Sequence, residues 1–127
     1  RDAQRLPDDP KPLAMKARAL RRLERLDEAE EVVRAARVLD PRDGSILAIG
    51  ASVAMKRGQF QHSSDLLVEA LALSPGGAYP LYVRAELAAA AGESWASDAL
   101  AEALKAAKAA PFSFVEQDVL RIRHGAP

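Results

Sequence analysis

Residues 26–41, LDEAEEVVRAARVLDP, decide the fold. Ala29, Val32, Val33, Ala36 and Leu39 fall at the spacing that gathers apolar and small side chains on one side of a helix. Glu28, Glu30, Glu31, Arg34 and Arg37 fill the other side. Asp40-Pro41 ends the helix, because proline has no N–H to donate and biases the residue before it away from helical angles. A helix with one such stripe needs neighbours to bury it.

The neighbours are copies of the same pattern. Pro7, Pro41 and Pro75 lie 34 residues apart. When residues 21–41 are laid over residues 55–75, Leu26 meets Phe60, Ala29 meets Ser63, Val33 meets Leu67, Ala36 meets Ala70 and Leu39 meets Leu73. Upstream, Leu13 meets Leu47 and Ala17 meets Ala51. Large residues match large ones and small match small, the signature of a structural repeat. A third copy carries Leu81 and Ala85 in register, and Gly92 follows Gly58 by 34 residues. Ala99, Ala103, Ala106 and Pro111 then fit only with a two-residue insertion near Glu93-Ser94, which lengthens the turn inside the third pair.

These positions resemble the tetratricopeptide repeat, a 34-residue helix–turn–helix with small residues at its eighth, twentieth and twenty-seventh places and proline at its thirty-second. The matching residues are Ala17, Ala29, Ala36 and Pro41; Ala51, Ser63, Ala70 and Pro75; and Ala85, Ala99, Ala106 and Pro111. The sequence departs from the family pattern in having leucine (Leu13, Leu47, Leu81) or smaller residues (Ala54, Ala88) where first-helix aromatics are usual. The resemblance implies an all-α fold, a right-handed superhelix of antiparallel helix pairs (an α-α solenoid). The whole chain then reads as one domain. Residues 1–10 are the end of a preceding repeat and a linker, 11–41, 42–75 and 76–111 are three repeats, and 112–124 form a capping helix. Helices are expected over residues 11–23, 26–39, 45–57, 60–73, 78–91, 94–109 and 112–123.

Composition agrees with a helical interaction module. Apolar residues make up 49% of the chain, much of that alanine, and only 5% is aromatic, so helices must pack by close approach. Eighteen Lys and Arg balance eighteen Asp and Glu, which gives no electrostatic reason to expect nucleic acid or an anionic membrane as partner. No apolar stretch is long enough to span a bilayer; the longest, residues 46–55, is interrupted by Gly50 and Ser52. Cysteine is absent, so disulfide and thiol chemistry are excluded while the compartment, cytoplasmic or periplasmic, stays open. Richness in alanine and arginine suggests a GC-rich bacterial gene. A first residue other than methionine, and Pro7 in register, suggest a longer parent chain.

Catalytic chemistry finds little to work with. His62 and His124 are the only histidines, and neither has a companion at metal-ligand spacing. Gly76-Gly77 follows a helix stop and reads as an inter-repeat turn, not a phosphate loop. Ser63-Ser64-Asp65 and Ser94 to Asp98 read as helix starts, and no general base is assignable to a serine nucleophile. The chain is therefore expected not to be an enzyme and to need no cofactor or metal. Trp95 is read as a ring filling volume over the alanine-rich third repeat, the alternative being an exposed contact point.

In the tetratricopeptide family the first helix of each pair lines a concave groove. That implies a partner-binding row of Lys11, Arg18, Arg21 and Arg22, then Ser52, Met55 and Lys56, then Tyr79, Tyr82 and Glu86. The groove would be basic at its N-terminal end and tyrosine-bearing at the other, suited to a protein or peptide with acidic residues at one end. The plainer reading of Arg18 to Arg25 is a solvated helix face balanced by Glu24, Asp27 and Glu28, and Tyr82 could instead pack between repeats. Family members that clamp a C-terminal carboxylate use lysine and asparagine, and this chain has no asparagine, which argues against that sub-class. The functional expectation is a protein–protein interaction scaffold. The alternative is a regulatory or self-association segment of a larger enzyme or a secretion or assembly protein.

Half the residues from 85 to 110 are alanine, a residue that favours helix but buries little area. The third repeat should therefore open first. Native-state amide exchange is expected to be faster in residues 97–109 than in residues 59–73; the reverse order would refute the ranking.

Overall fold

The computed structural model describes residues 11–109, which form six α-helices and, among the described residues, no strand. They are α1 (Lys11–Arg22), α2 (Leu26–Leu39), α3 (Gly44–Lys56), α4 (Phe60–Leu73), α5 (Ala78–Ala90) and α6 (Ala96–Lys108). The expected stub at residues 1–10, the capping helix at 112–123, Pro111 and His124 lie outside the described residues. Among the described residues no helix is long and apolar enough to cross a membrane, and no group of three or more His, Asp or Glu could hold a metal ion.

The most extensive packing joins α1 to α2, α3 to α4 and α5 to α6. Successive pairs then meet in a recurring way, α2 on α3 and α4 on α5, with α1 on α3 and α3 on α5. One core runs through all of them. Ala17, Ala29, Ala36, Ala51 and Ala70 are fully buried, beside Ile46, Leu47, Ile49 and Val83. Alanine at the crossing points lets helix backbones approach closely, so that a few larger side chains fill what remains.

The first helix of each pair ends in the same way. Glu24, Gly58 and Gly92 all adopt positive φ, at 64°, 80° and 74°. After each, the next residue's N–H reaches back to a carbonyl five residues earlier: Arg25 to Leu20, Gln59 to Ala54 and Glu93 to Ala88, each at 2.9 Å. This is the left-handed C-cap, which satisfies carbonyls that the helix end leaves without partners. Glycine suits the conformation, and Glu24 takes it against its side chain's preference. Glu24→Gly is expected to raise stability by about 0.5–1 kcal/mol in urea unfolding, with an unchanged or lower midpoint counting against the backbone reading.

The turn between α5 and α6 holds five residues, against three in each of the earlier pairs, where the two-residue insertion was expected. In α6 the buried residues are Ala99, Ala103, Leu104 and Ala107, while Ala106, expected in the core, is only half-buried at its edge. Serine-rich segments also differ from expectation. The cap before α4 is Gln59 and that before α6 is Trp95, neither with a side-chain bond, so the expected serine starts do not hold. Ser63 lies inside α4, fully buried, and donates from Oγ to the Ala51 carbonyl at 2.6 Å, tying α4 to α3.

One helix start carries a full side-chain cap. Asp43 accepts from the N–H groups of Ser45 at 2.9 Å and Ile46 at 3.2 Å. Asp43→Ala should lower stability by about 1 kcal/mol in the same unfolding assay; a loss below about 0.3 kcal/mol would show that water caps α3 equally well.

Candidate functional site

The expected binding row lies on α1, α3 and α5, and the structure draws its centre together. Arg21 of α1 donates from Nη2 to Glu86 Oε2 of α5 at 2.6 Å. Ser52 of α3 donates to Glu86 Oε1 at 3.2 Å, and the Tyr82 hydroxyl donates to Glu86 Oε2 at 3.1 Å. One carboxylate thus receives a guanidinium, a hydroxyl and a phenol from three helices. Ser52 and Glu86 stand one 34-residue period apart, so matching positions on α3 and α5 touch directly.

Helix geometry explains the convergence. Tyr82 and Glu86 are four residues apart on α5 and so share a face, which turns toward α3. Tyr79, on the same side, stacks its ring 5.5 Å from that of Tyr82 at a 37° tilt. Both tyrosines are buried, as are Arg18 and Arg21 at 8% exposure each and Ser52 entirely. This corrects the expected exposed basic rim and the expected tyrosine contact surface. Arg21 is spent on an internal partner, and the two rings fill the space beside it.

Of the ten expected residues, Arg22 and Lys56 are exposed and Met55 and Glu86 are half-buried. The side chain of Lys11 lies outside the described residues. Lys56 pairs with Glu24 at 3.4 Å, both well exposed, a contact of little energetic weight. The open part of this face is therefore a small cationic and apolar strip, Arg22, Met55 and Lys56, beside a buried polar knot.

Electrostatics within the knot favour the charged arginine and the neutral phenol. Burial works against the Arg21 charge, but the Glu86 carboxylate, helped by both tyrosines, outweighs it and raises the guanidinium above its ordinary value. Burial first, and then the neighbouring carboxylate, push the Tyr82 phenol well above its usual range, with Arg21 pulling the other way. An unfolded tyrosine ionises near pH ~10, so above that pH the unfolded chain gives up a proton that folded Tyr82 keeps. The associated stability is complete below about pH 10 and declines as pH rises beyond it. Tyr82→Phe should flatten that alkaline decline in a pH series of urea midpoints; an identical slope in both proteins would exclude Tyr82 as its source.

Two other expected features are placed differently from one another. His62 is exposed at the start of α4. Trp95 is 45% exposed, not laid over the alanine core as favoured from the sequence. Its ring faces the Arg84 guanidinium at 5.9 Å, and Arg84 also pairs with Glu102 of α6. Trp95 is the last residue of the five-residue turn, immediately before α6. No family model matches the chain, and no curated protein matches it.

Proposed function

We propose that this chain is a tetratricopeptide-type array, a right-handed solenoid of antiparallel helix pairs, that binds a protein or peptide segment along the face of its first helices. The observation that carries the reading is the recurrence of one backbone pattern at Glu24, Gly58 and Gly92. The same left-handed cap ends the first helix of each pair, and the Ser52–Glu86 bond supports stacking of successive pairs in register. Arrays of this kind present a rigid curved surface whose exposed side chains set specificity.

On that face the acidic part of a partner belongs on Arg22 and Lys56, because both are exposed whereas Arg21 is buried against Glu86. Met55, half-buried beside Lys56 in the chain, gives an adaptable apolar contact. This reading gives the chain a binding role and no enzymatic one. The test is capture from lysate by the native chain and by an Arg22→Glu, Lys56→Glu variant. Both positions are exposed, so the variant should fold, with an unchanged far-UV circular dichroism spectrum. Partners retained by the native chain and lost by the variant support the reading; identical capture by both would overturn the choice of face.

A further inference from the structure

A cleft of about 300 Å³ opens between α2, α3 and α4, made of residues that the Glu86 knot does not use. Its floor is apolar: Val33, Gly50, Val53, Ala54 and Leu66. Gly50 is central to it. The residue is buried within α3, and a Cβ there would come within 3.3 Å of Val33 Cγ1 and 3.5 Å of Leu66 Cδ1, so any side chain would project into the cleft. One 34-residue period before and after, the same place holds Lys16 and Arg84. Arg84 reaches across to Trp95 and Glu102, spanning the corresponding space between α5 and α6. The second repeat alone combines a bare backbone here with Ala54 a turn later, and a glycine inside a helix costs about 1 kcal/mol relative to alanine.

The rim is cationic. Arg34, Arg37 and Arg57 line it against the single carboxylate of Glu30. Glu30 is shared between Arg34 and Arg57, at 3.2 Å from each, and Arg57 also meets Asp27. Arg37 has no ion pair among the described residues and is left to answer an outside carboxylate. A volume of about 300 Å³ is at the low end for ligand pockets and takes one bulky side chain, not a nucleotide or an extended cofactor.

We propose that this cleft binds an acidic peptide segment of a protein partner, with one bulky apolar side chain seated over Gly50 and an adjacent carboxylate on Arg37. The apolar floor sets the depth of insertion, and the guanidinium, planar and permanently charged, offers the carboxylate a bidentate contact. The site is separate from the first-helix face, so either can fail without the other.

The test is titration of the whole chain with the blocked peptide Asp-Glu-Phe-Glu-Asp, followed by backbone amide shifts. Saturable shifts are expected at Val33, Gly50 and Leu66, with Met55 and Lys56 unmoved. Replacing the peptide's Phe by Ser, or making Arg37→Glu in the protein, should each weaken binding at least about tenfold, or about 1.4 kcal/mol. Gly50→Leu should abolish binding by filling the floor; should that variant fail to fold, Arg37→Glu, on a half-exposed helix face, carries the test alone. Shifts confined to other surfaces, no shifts at millimolar peptide, equal affinity for a peptide with Lys at the acidic positions, or indifference to Arg37→Glu would each overturn the proposal.

Discussion

Glu86→Ala is expected to lower folding stability by about 3 kcal/mol, the low end for breaking a buried ion pair from one side. The Arg21 side chain is only 10% exposed and that of Glu86 15%, so water cannot replace the lost carboxylate without loosening the packing of α1 and α5 on α3. The hydroxyls of Ser52 and Tyr82 lose their acceptor in the same step. Glu86→Gln keeps an acceptor oxygen but not the charge, and should lose roughly half as much. The double replacement Arg21→Met, Glu86→Leu removes both charges and should recover part of the loss, because no buried charge is left unpaired although the Ser52 and Tyr82 hydroxyls still lack their acceptor. Urea unfolding of the four proteins checks the set. Glu86→Ala within about 0.5 kcal/mol of the native chain would mean that the knot contributes specificity without stability.

Gly44→Val should cost about 3 kcal/mol or prevent folding, through crowding and not through backbone strain. A Cβ at Gly44 would lie 2.5 Å from Ser74 Oγ and 2.9 Å from the Ala70 carbonyl oxygen. The serine can rotate, but the carbonyl belongs to the α4 backbone and cannot yield without moving the helix. Ser74→Gly in combination should therefore rescue only part of the loss. A thermal midpoint for Gly44→Val equal to that of the native chain would show that α3 and α4 have room to separate; full rescue by Ser74→Gly would place the whole clash on the side chain.

Both residues show where sequence reading stops. The limits of α2 and α4 were legible because Asp40-Pro41 and Ser74-Pro75 end helices by local sterics and the stripes between them have helical spacing. The inserted turn was legible because a fixed period exposes any departure from it. Burial of Arg21 was not, because its partner lies 65 residues away and a run of arginines on one helix looks solvated until the opposite helix is placed. The closeness of Gly44 to Ala70 and the cleft over Gly50 depend on distances between helices, which no single residue encodes. Trp95 was read by volume alone, whereas its ring is exposed and lies beside the Arg84 guanidinium.

The most direct measurement of partner binding is a photo-crosslinking map in cells of the source. A benzoylphenylalanine replaces, one at a time, Arg22, Met55 and Lys56 on first helices, and Val68 and Lys105, both exposed, on second helices. The result expected is a discrete protein adduct from the first-helix positions and none from Val68 or Lys105. Adducts from Val68 or Lys105 with none from Arg22, Met55 and Lys56 would contradict it, and would move the binding face to the opposite side of the array.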